Sequence, residues 1–226
     1  MRTWLLVAAE RREFDGFLKR VGGASRMEWP GAKFADEGYW RGDRWWLVAN
    51  GPGPGCVHEA LGLHVSEKRT LMNGIVSTGY CGALDPALRL GDIVVSSETV
   101  VECAMPHDRG EIYSMDRVAV TSEEKRTLRA ETGAIAVEME SAAVRQKAKE
   151  WQIPFFHIRA VSDTAAHDLP LNFNEYREGT GDFSRSRIAM TALSRPFTTL
   201  PRLIRFARDS RRASEALGEF LADCRF

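Results

Sequence analysis

The sequence predicts a single-domain α/β fold built on a mixed, largely parallel sheet. Three observations predict it. Apolar runs with β-branched residues alternate with segments of helical period, the order that sets helices between parallel strands. Several runs, such as Ile93-Val94-Val95, are apolar at nearly every position, as expected where both faces of a strand are covered. No internal repeat and no Gly/Ser-rich linker divides the 226 residues, so the chain reads as one domain large enough for a sizeable core.

Each element follows in order. The opening Met1-Arg2-Thr3-Trp4-Leu5-Leu6-Val7-Ala8-Ala9-Glu10 is too short and too soon charged for a signal peptide, so Thr3–Ala8 is read as the first strand. A helix is expected over Glu10–Val21 and a strand over Trp45–Ala49. The Pro/Gly stretch 50–55 then forms a shaped loop before a helix over Cys56–Lys68. Strands follow at Gly74–Thr78 and Asp92–Ser97, a helix at Glu123–Glu131 and a strand at Ile135–Glu138. In the next helix, Glu140–Trp151, Ala142, Ala143, Val144 and Ala148 make one packing face, with Arg145, Lys147 and Lys149 outside. Phe155–Ser162 is the last strand, and Arg185–Leu193 and Leu203–Asp223 are helices.

Composition excludes several classes. Thirty-one basic residues balance 31 acidic ones, unlike a dedicated nucleic-acid binder. A charged fraction of 27% beside 44% hydrophobic residues argues against disorder. No apolar run approaches the ~18 residues of a membrane span. Cys56, Cys81, Cys103 and Cys224 form no C-x-x-C pair and read as free thiols of a reducing cytoplasm. His58, His64, His107, His157 and His167 have no metal-ligand spacing, so no metal is expected.

Four segments could carry chemistry. The loop 51–56, Gly-Pro-Gly-Pro-Gly-Cys, sets Gly53 and Gly55 before a helix; glycines let backbone N–H groups approach a ligand, and a helix N-terminus is positive. It matches neither a Walker loop nor G-x-G-x-x-G, and a plain tight turn explains it equally well. A second glycine cluster, Thr78-Gly79-Tyr80-Cys81-Gly82, follows a strand. In Val137-Glu138-Met139-Glu140 two acids end an apolar strand, although helix capping alone would account for Glu140. Finally, an apolar strand runs into Ser162-Asp163, either an Asx or N-cap turn or a carboxyl group withdrawn from water and able to donate a proton.

Together, Thr78-Gly79 through Asp92-Ile93-Val94-Val95, then Val137-Glu138-Met139-Glu140 and Ser162-Asp163, resemble the purine nucleoside phosphorylase / methylthioadenosine nucleosidase superfamily. The resemblance covers residues 1 to about 169. The segment Asp168-Leu169-Pro170, with Ser194-Arg195-Pro196 and 200–209, is similar in composition to the hopanoid-associated phosphorylase branch.

This resemblance implies a three-layer sandwich and cleavage of a purine–ribose N-glycosidic bond. Asp163 then matches the acid at purine N7, with Ser162 beside it, and Glu140 matches the acceptor for the ribose hydroxyls, where a carboxylate also stabilises positive charge developing on the sugar. Met139 packs beneath the ribose, and Glu138 supports the pocket. An acid after the first strand positions water in the hydrolytic branch; Glu13 is preferred over Glu10. Thr78, Gly79 and Tyr80, with Gly53 and Gly55, complete the expected binding set. No cofactor is implied, although inorganic phosphate would be the co-substrate of a phosphorylase. A homo-oligomer is implied as well.

Two departures bear on the reaction. Ser77 and Tyr80 stand where family phosphorylases present an Arg and a Ser to phosphate. A serine lacks the charge and fork of Arg, so hydrolysis is preferred over phosphorolysis. The excursion 98–135 is also shorter than the family's, which leaves the purine pocket more open or completed by a neighbouring subunit. Either His107 or His167 could reach the ribose 5′ end, against the plainer reading as surface histidines. The rival readings are a hopanoid-linked adenosine as substrate and a nucleoside-binding relative without catalysis.

Residues 185–226 form a basic C-terminal helical segment with nine arginines against four acids, a net charge of +5, leaving −5 on the rest. A docked helix with a solvated basic face accounts for it; weak contact with an anionic lipid surface is the sharper alternative.

Overall fold

In the computed structural model the described residues are 1–62, 65, 67–179 and 181–226; His64 and part of the expected Cys56–Lys68 helix lie outside them. The strands, in chain order, are β1 (Thr3–Ala8), β2 (Gly22–Arg26), β3 (Phe34–Trp40), β4 (Asp43–Ala49), β5 (Gly74–Ser77), β6 (Tyr80–Ala83), β7 (Ile93–Ser96), β8 (Asp108–Gly110), β9 (Ile112–Ser114), β10 (Ala136–Glu138) and β11 (Phe155–Asp163). Between and after them come α1 (Asp15–Leu18), α2 (Pro54–Ala60), α3 (Ser122–Thr132), α4 (Ser141–Trp151), α5 (Arg185–Ser194) and α6 (Thr199–Asp223).

The strands join in the order β2-β3-β4-β1-β5-β11-β6-β10-β9, with β7 paired to β11 and β8 to β7. Pairing is parallel between β1 and both β4 and β5, and between β11 and both β5 and β6. It is antiparallel along β2-β3-β4, between β6 and β10 and between β7 and β11. The expected mixed, largely parallel sheet is therefore present, in an α/β domain.

Alternation along β1 shows why the sheet is covered twice. Trp4, Leu6 and Ala8 enter a core with Phe14, Phe17, Leu217 and Phe220, on the side of α1 and α6. Leu5 and Val7 point the other way, into a core with Val57, Ala60, Val144 and Ala148 from α2 and α4. Successive side chains of a strand face opposite sides, so a continuous apolar run needs a helical layer on each.

Six expected strands appear within one or two residues of their ranges. Reading missed β2, β3, β6, β8 and β9. Gly22-Gly23-Ala24-Ser25-Arg26 has no apolar face, and all five residues are exposed. In β3, Asp36, Glu37 and Gly38 interrupt the apolar pattern, while β6 is the segment read as a glycine loop. The helix expected over Glu10–Val21 is instead a 3-10 turn, Arg11–Phe14, followed by the single turn α1. The cause is local: Glu10 and Glu13 close a reciprocal capping box around the turn. The helix expected to run to Lys68 stops at Ala60.

The long helix α6 holds that 3-10 turn in place. Its second half, from Ser210 onward, packs on the sheet, while 200–209 are largely exposed. A Cβ on Gly16 or Gly218 would collide with backbone of the other element, so only glycine permits this crossing. Ser214 Oγ donates to the Arg12 carbonyl at 2.9 Å and accepts from the Gly16 amide at 3.2 Å. The neighbour of Arg12 is Glu13, so α6 fixes an acid beside the central strands.

Candidate active site

The end of β1, the start of β6 and the ends of β10 and β11 surround one cleft. It is lined by Glu10 and Glu13, Tyr80 and Gly82, Val137 to Glu140, and Ser162 and Asp163. Val118 and Ala119 from the 98–135 excursion add an apolar wall, with Leu169, Phe173, Phe183 and Phe206 from the C-terminal part. Asn174 pins Val118 through both its backbone groups at 2.9 Å.

Glu13 is buried, and its two oxygens accept from the Tyr80 amide at 3.1 Å and the Glu10 amide at 2.9 Å. Burial raises its pKa above the ordinary 4.5, against the opposing pull of the Glu10 amide, Arg159 and the Tyr80 amide. Gly79 lies at φ 131°, and a Cβ there would come within 2.9 Å of both Glu13 and Arg159. Glycine here leaves room for a carboxyl and a guanidinium that both approach the loop.

Glu138 and Glu140 do different work. The Glu138 carboxylate accepts from the amides of Glu140 and Ser141, both at 2.9 Å, and from Ser141 Oγ at 2.6 Å. It therefore caps α4, the task that sequence reading offered for Glu140. Arg159 closes on Glu138 by a direct ion pair. Burial alone would raise the Glu138 pKa, but Arg159 leads the attractions that hold it well below the usual range. Glu140 accepts from the Gly53 amide at 2.9 Å and lies 3.6 Å from Arg159. Its pKa is raised, by burial first and then by the neighbouring Glu138 charge. Of the two, Glu140 keeps acceptor capacity toward the cleft.

Asp163 is 14% exposed at its side chain. Its Oδ1 accepts from Ser162 Oγ at 2.7 Å and its Oδ2 from Lys125 Nζ at 2.5 Å. Met139 lines the cleft between the two glutamates. Tyr80 turns its hydroxyl to the Arg12 carbonyl at 3.3 Å, so its ring lies along the wall without spanning the cleft. Thr78 is buried behind the cleft and its carbonyl accepts from Arg159. Gly53 acts through Glu140, whereas Gly55 is exposed and does not line the cleft. The His107 ring packs on Phe220, and His167 Nδ1 sits 2.8 Å from Thr164 Oγ; neither lines the cleft.

Two residues with large roles escaped sequence reading. Arg159 is fully buried, bonds the Thr78 carbonyl, Ser77 Oγ and Glu138, and faces Glu13 and Glu140. Its signal was a lone cation inside the apolar strand Phe155–Asp163. Lys125 gave none, because it sits in the charged run Ser-Glu-Glu-Lys-Arg of α3. No group of His, Cys, Asp and Glu suited to a metal occurs among the described residues.

Comparison with known proteins agrees with the fold. Residues 99–192 match the family model of the phosphorylase superfamily. Two curated 5′-methylthioadenosine/S-adenosylhomocysteine nucleosidases are similar in sequence. That of Colwellia psychrerythraea is 29% identical over 185 residues, 62% of this chain and 76% of the relative. That of Glaesserella parasuis is 26% identical over 162 residues, 55% and 70% of the two chains. Among solved structures, the nucleosidase of the same name from Neisseria meningitidis, in complex with methylthio-immucillin-A, superposes with a TM-score of 0.70 at 20% identity, covering 99% of this chain and 98% of the other. Futalosine hydrolase of Helicobacter pylori superposes with a TM-score of 0.70 at 15% identity, over 98% and 96%. The family-model match and these relatives support the resemblance to the superfamily of purine nucleoside phosphorylases and methylthioadenosine nucleosidases.

Proposed function

We propose that the chain is an enzyme that hydrolyses the N-glycosidic bond of a purine nucleoside. The observation that carries this reading is the position of Glu13: its carboxyl occupies the Tyr80 amide at the glycine loop. In a phosphorolytic site that loop would meet an anion. Here a protein carboxylate holds the donor and would repel phosphate, while it can accept a proton from water.

The remaining groups fit the same reaction. Glu140 receives the ribose hydroxyls over Met139. Asp163, with Ser162, faces the base and serves as the acid at N7. Positive charge on the sugar develops near Glu140 and Glu13, and Arg159 balances these acids before substrate enters. The curated relatives share this reaction by name. Release of base from adenosine, inosine and methylthioadenosine is expected to proceed equally with and without phosphate; strict phosphate dependence would reverse the assignment to phosphorolysis.

The apolar side chains Leu169, Phe173, Phe183 and Phe206 in the same cleft favour an apolar 5′ substituent, as in an alkylthio or lipid-linked nucleoside. Close by in sequence, Met190, Leu193, Phe197 and Ile204 are exposed among exposed arginines 187, 195, 205 and 208. Such a surface suits weak contact with anionic lipid. Co-sedimentation with anionic vesicles at low salt, lost in Phe197→Asp, is the expected result; no binding of the parent chain removes the lipid contact.

A further inference from the structure

Lys125 is the most buried charge near the cleft that the reaction above leaves without a role. Its side chain is 0% exposed. The ammonium donates to Asp163 Oδ2 at 2.5 Å, to the Thr164 carbonyl at 2.9 Å and to the His167 carbonyl at 3.1 Å. All three N–H bonds are thus committed, and one of them ends on the carboxyl group that faces the leaving base.

Ser162 Oγ donates to the other oxygen of that carboxyl. In this geometry both oxygens of Asp163 are engaged, one by the ammonium and one by the Ser162 hydroxyl. A purine leaving as an anion is poor, so a proton must still arrive, and the ammonium holds one in contact.

We infer that Lys125 is the positioning residue that supplies the proton delivered through Asp163 to the leaving purine. This rests on the hydrolase reading above and adds a residue to it. As the C1′–N9 bond breaks, its electron pair stays with the base. One proton passes from Nζ to the Asp163 carboxyl and one from that carboxyl to N7, leaving Lys125 as the amine. The attacking water forms the C1′–O bond and gives its proton to Glu13. Exchange with solvent then removes the proton from Glu13 and returns one to Lys125, so the cycle closes without another reactant.

The test compares wild type with Lys125→Met and Lys125→Gln on a purine nucleoside that wild type cleaves and on 4-nitrophenyl β-ribofuranoside, whose phenolate leaves without a proton. Glutamine can still bond one of the two loop carbonyls, which separates loss of the turn from loss of the acid. For both variants kcat on the purine nucleoside is expected to fall about 10²–10⁴-fold, the usual range for general acid help, with KM little changed. Turnover of the aryl riboside stays near wild type and shows that the protein is folded. Parallel losses on both substrates, or no loss on either, overturn the proposal.

A double-mutant cycle on the purine nucleoside decides the matter where the aryl riboside does not turn over. Groups that act as one unit are strongly non-additive, so Asp163→Asn with Lys125→Met should lose no more than Asp163→Asn alone; additive losses overturn the role. Failure of wild type to release any base instead removes the hydrolase reading, and this inference with it.

Discussion

Glu13→Gln is expected to lower kcat for base release by about 10²–10⁴-fold, the range for a lost general base, and to abolish the acid limb of the pH profile. The carboxyl is held by two backbone amides, one on each oxygen. Glutamine has the same shape but must turn its NH₂ toward one of those N–H groups, so it both loses the base and sets two donors against each other. Burial raises the pKa of Glu13, and the base acts only when ionised. Wild-type kcat/KM should therefore climb with pH through an ionisation above the ordinary glutamate value of 4.5. The sign for stability is opposite. A carboxyl whose pKa is raised in the folded state favours folding below its unfolded pKa, and that contribution is lost as pH rises through the folded value. Activity that rises on the acid side while thermal stability gains nothing from the same ionisation is the expected pattern. An acid limb unchanged in the variant would reject Glu13 as the base.

What could be read in advance follows the physics of each signal. Burial on both faces leaves a mark in sequence: Thr3–Ala8 is apolar because Leu5 and Leu6 enter different cores, and the strand was legible to the residue. An exposed strand at the sheet edge leaves none, as β2 shows. Carboxylates at the ends of apolar strands were also legible, because Glu138, Glu140 and Asp163 sit where a chain does not place charge without a partner. The partners themselves were not. Arg159 lies in the same strand as Asp163 yet answers to Glu138 from a different strand. Lys125 comes from a helix and is flanked in sequence by Glu123, Glu124 and Arg126, charges that mark no buried position. Long-range pairing is set by topology, and one chain read alone contains no record of which cation reaches which acid. Division of labour between Glu138 and Glu140 was hidden for the same reason, since it depends on the Gly53 amide and on Arg159.

Arg159→Met is expected to be the most damaging single change to stability, costing about 3–5 kcal/mol, the range for removing one partner of a buried ion pair. Both partners are 1% exposed. Methionine fills much of the volume but leaves Glu138 and Glu140 buried together without their shared cation, and it abandons the Thr78 carbonyl and Ser77 Oγ. A chain of this size shifts by about 2–4 °C per kcal/mol, so a fall of about 10 °C in Tm is the measurable result. Its pH dependence identifies the cause. Glu138 has a depressed pKa in the folded protein, so its contribution is present above the ordinary glutamate range and is lost as pH falls through the depressed value. Without Arg159 the buried Glu138 gains by taking up a proton. The gap between wild type and Arg159→Met should therefore be widest at neutral pH and narrow as the buffer becomes acidic. Arg159→Met with Glu138→Gln removes one buried charge along with its partner and should recover part of the loss, because an uncompensated charge costs more than an absent pair. A pH-independent loss that the second substitution does not relieve would instead assign the damage to altered packing around this position of β11, and would leave the ion pair without the role given to it here.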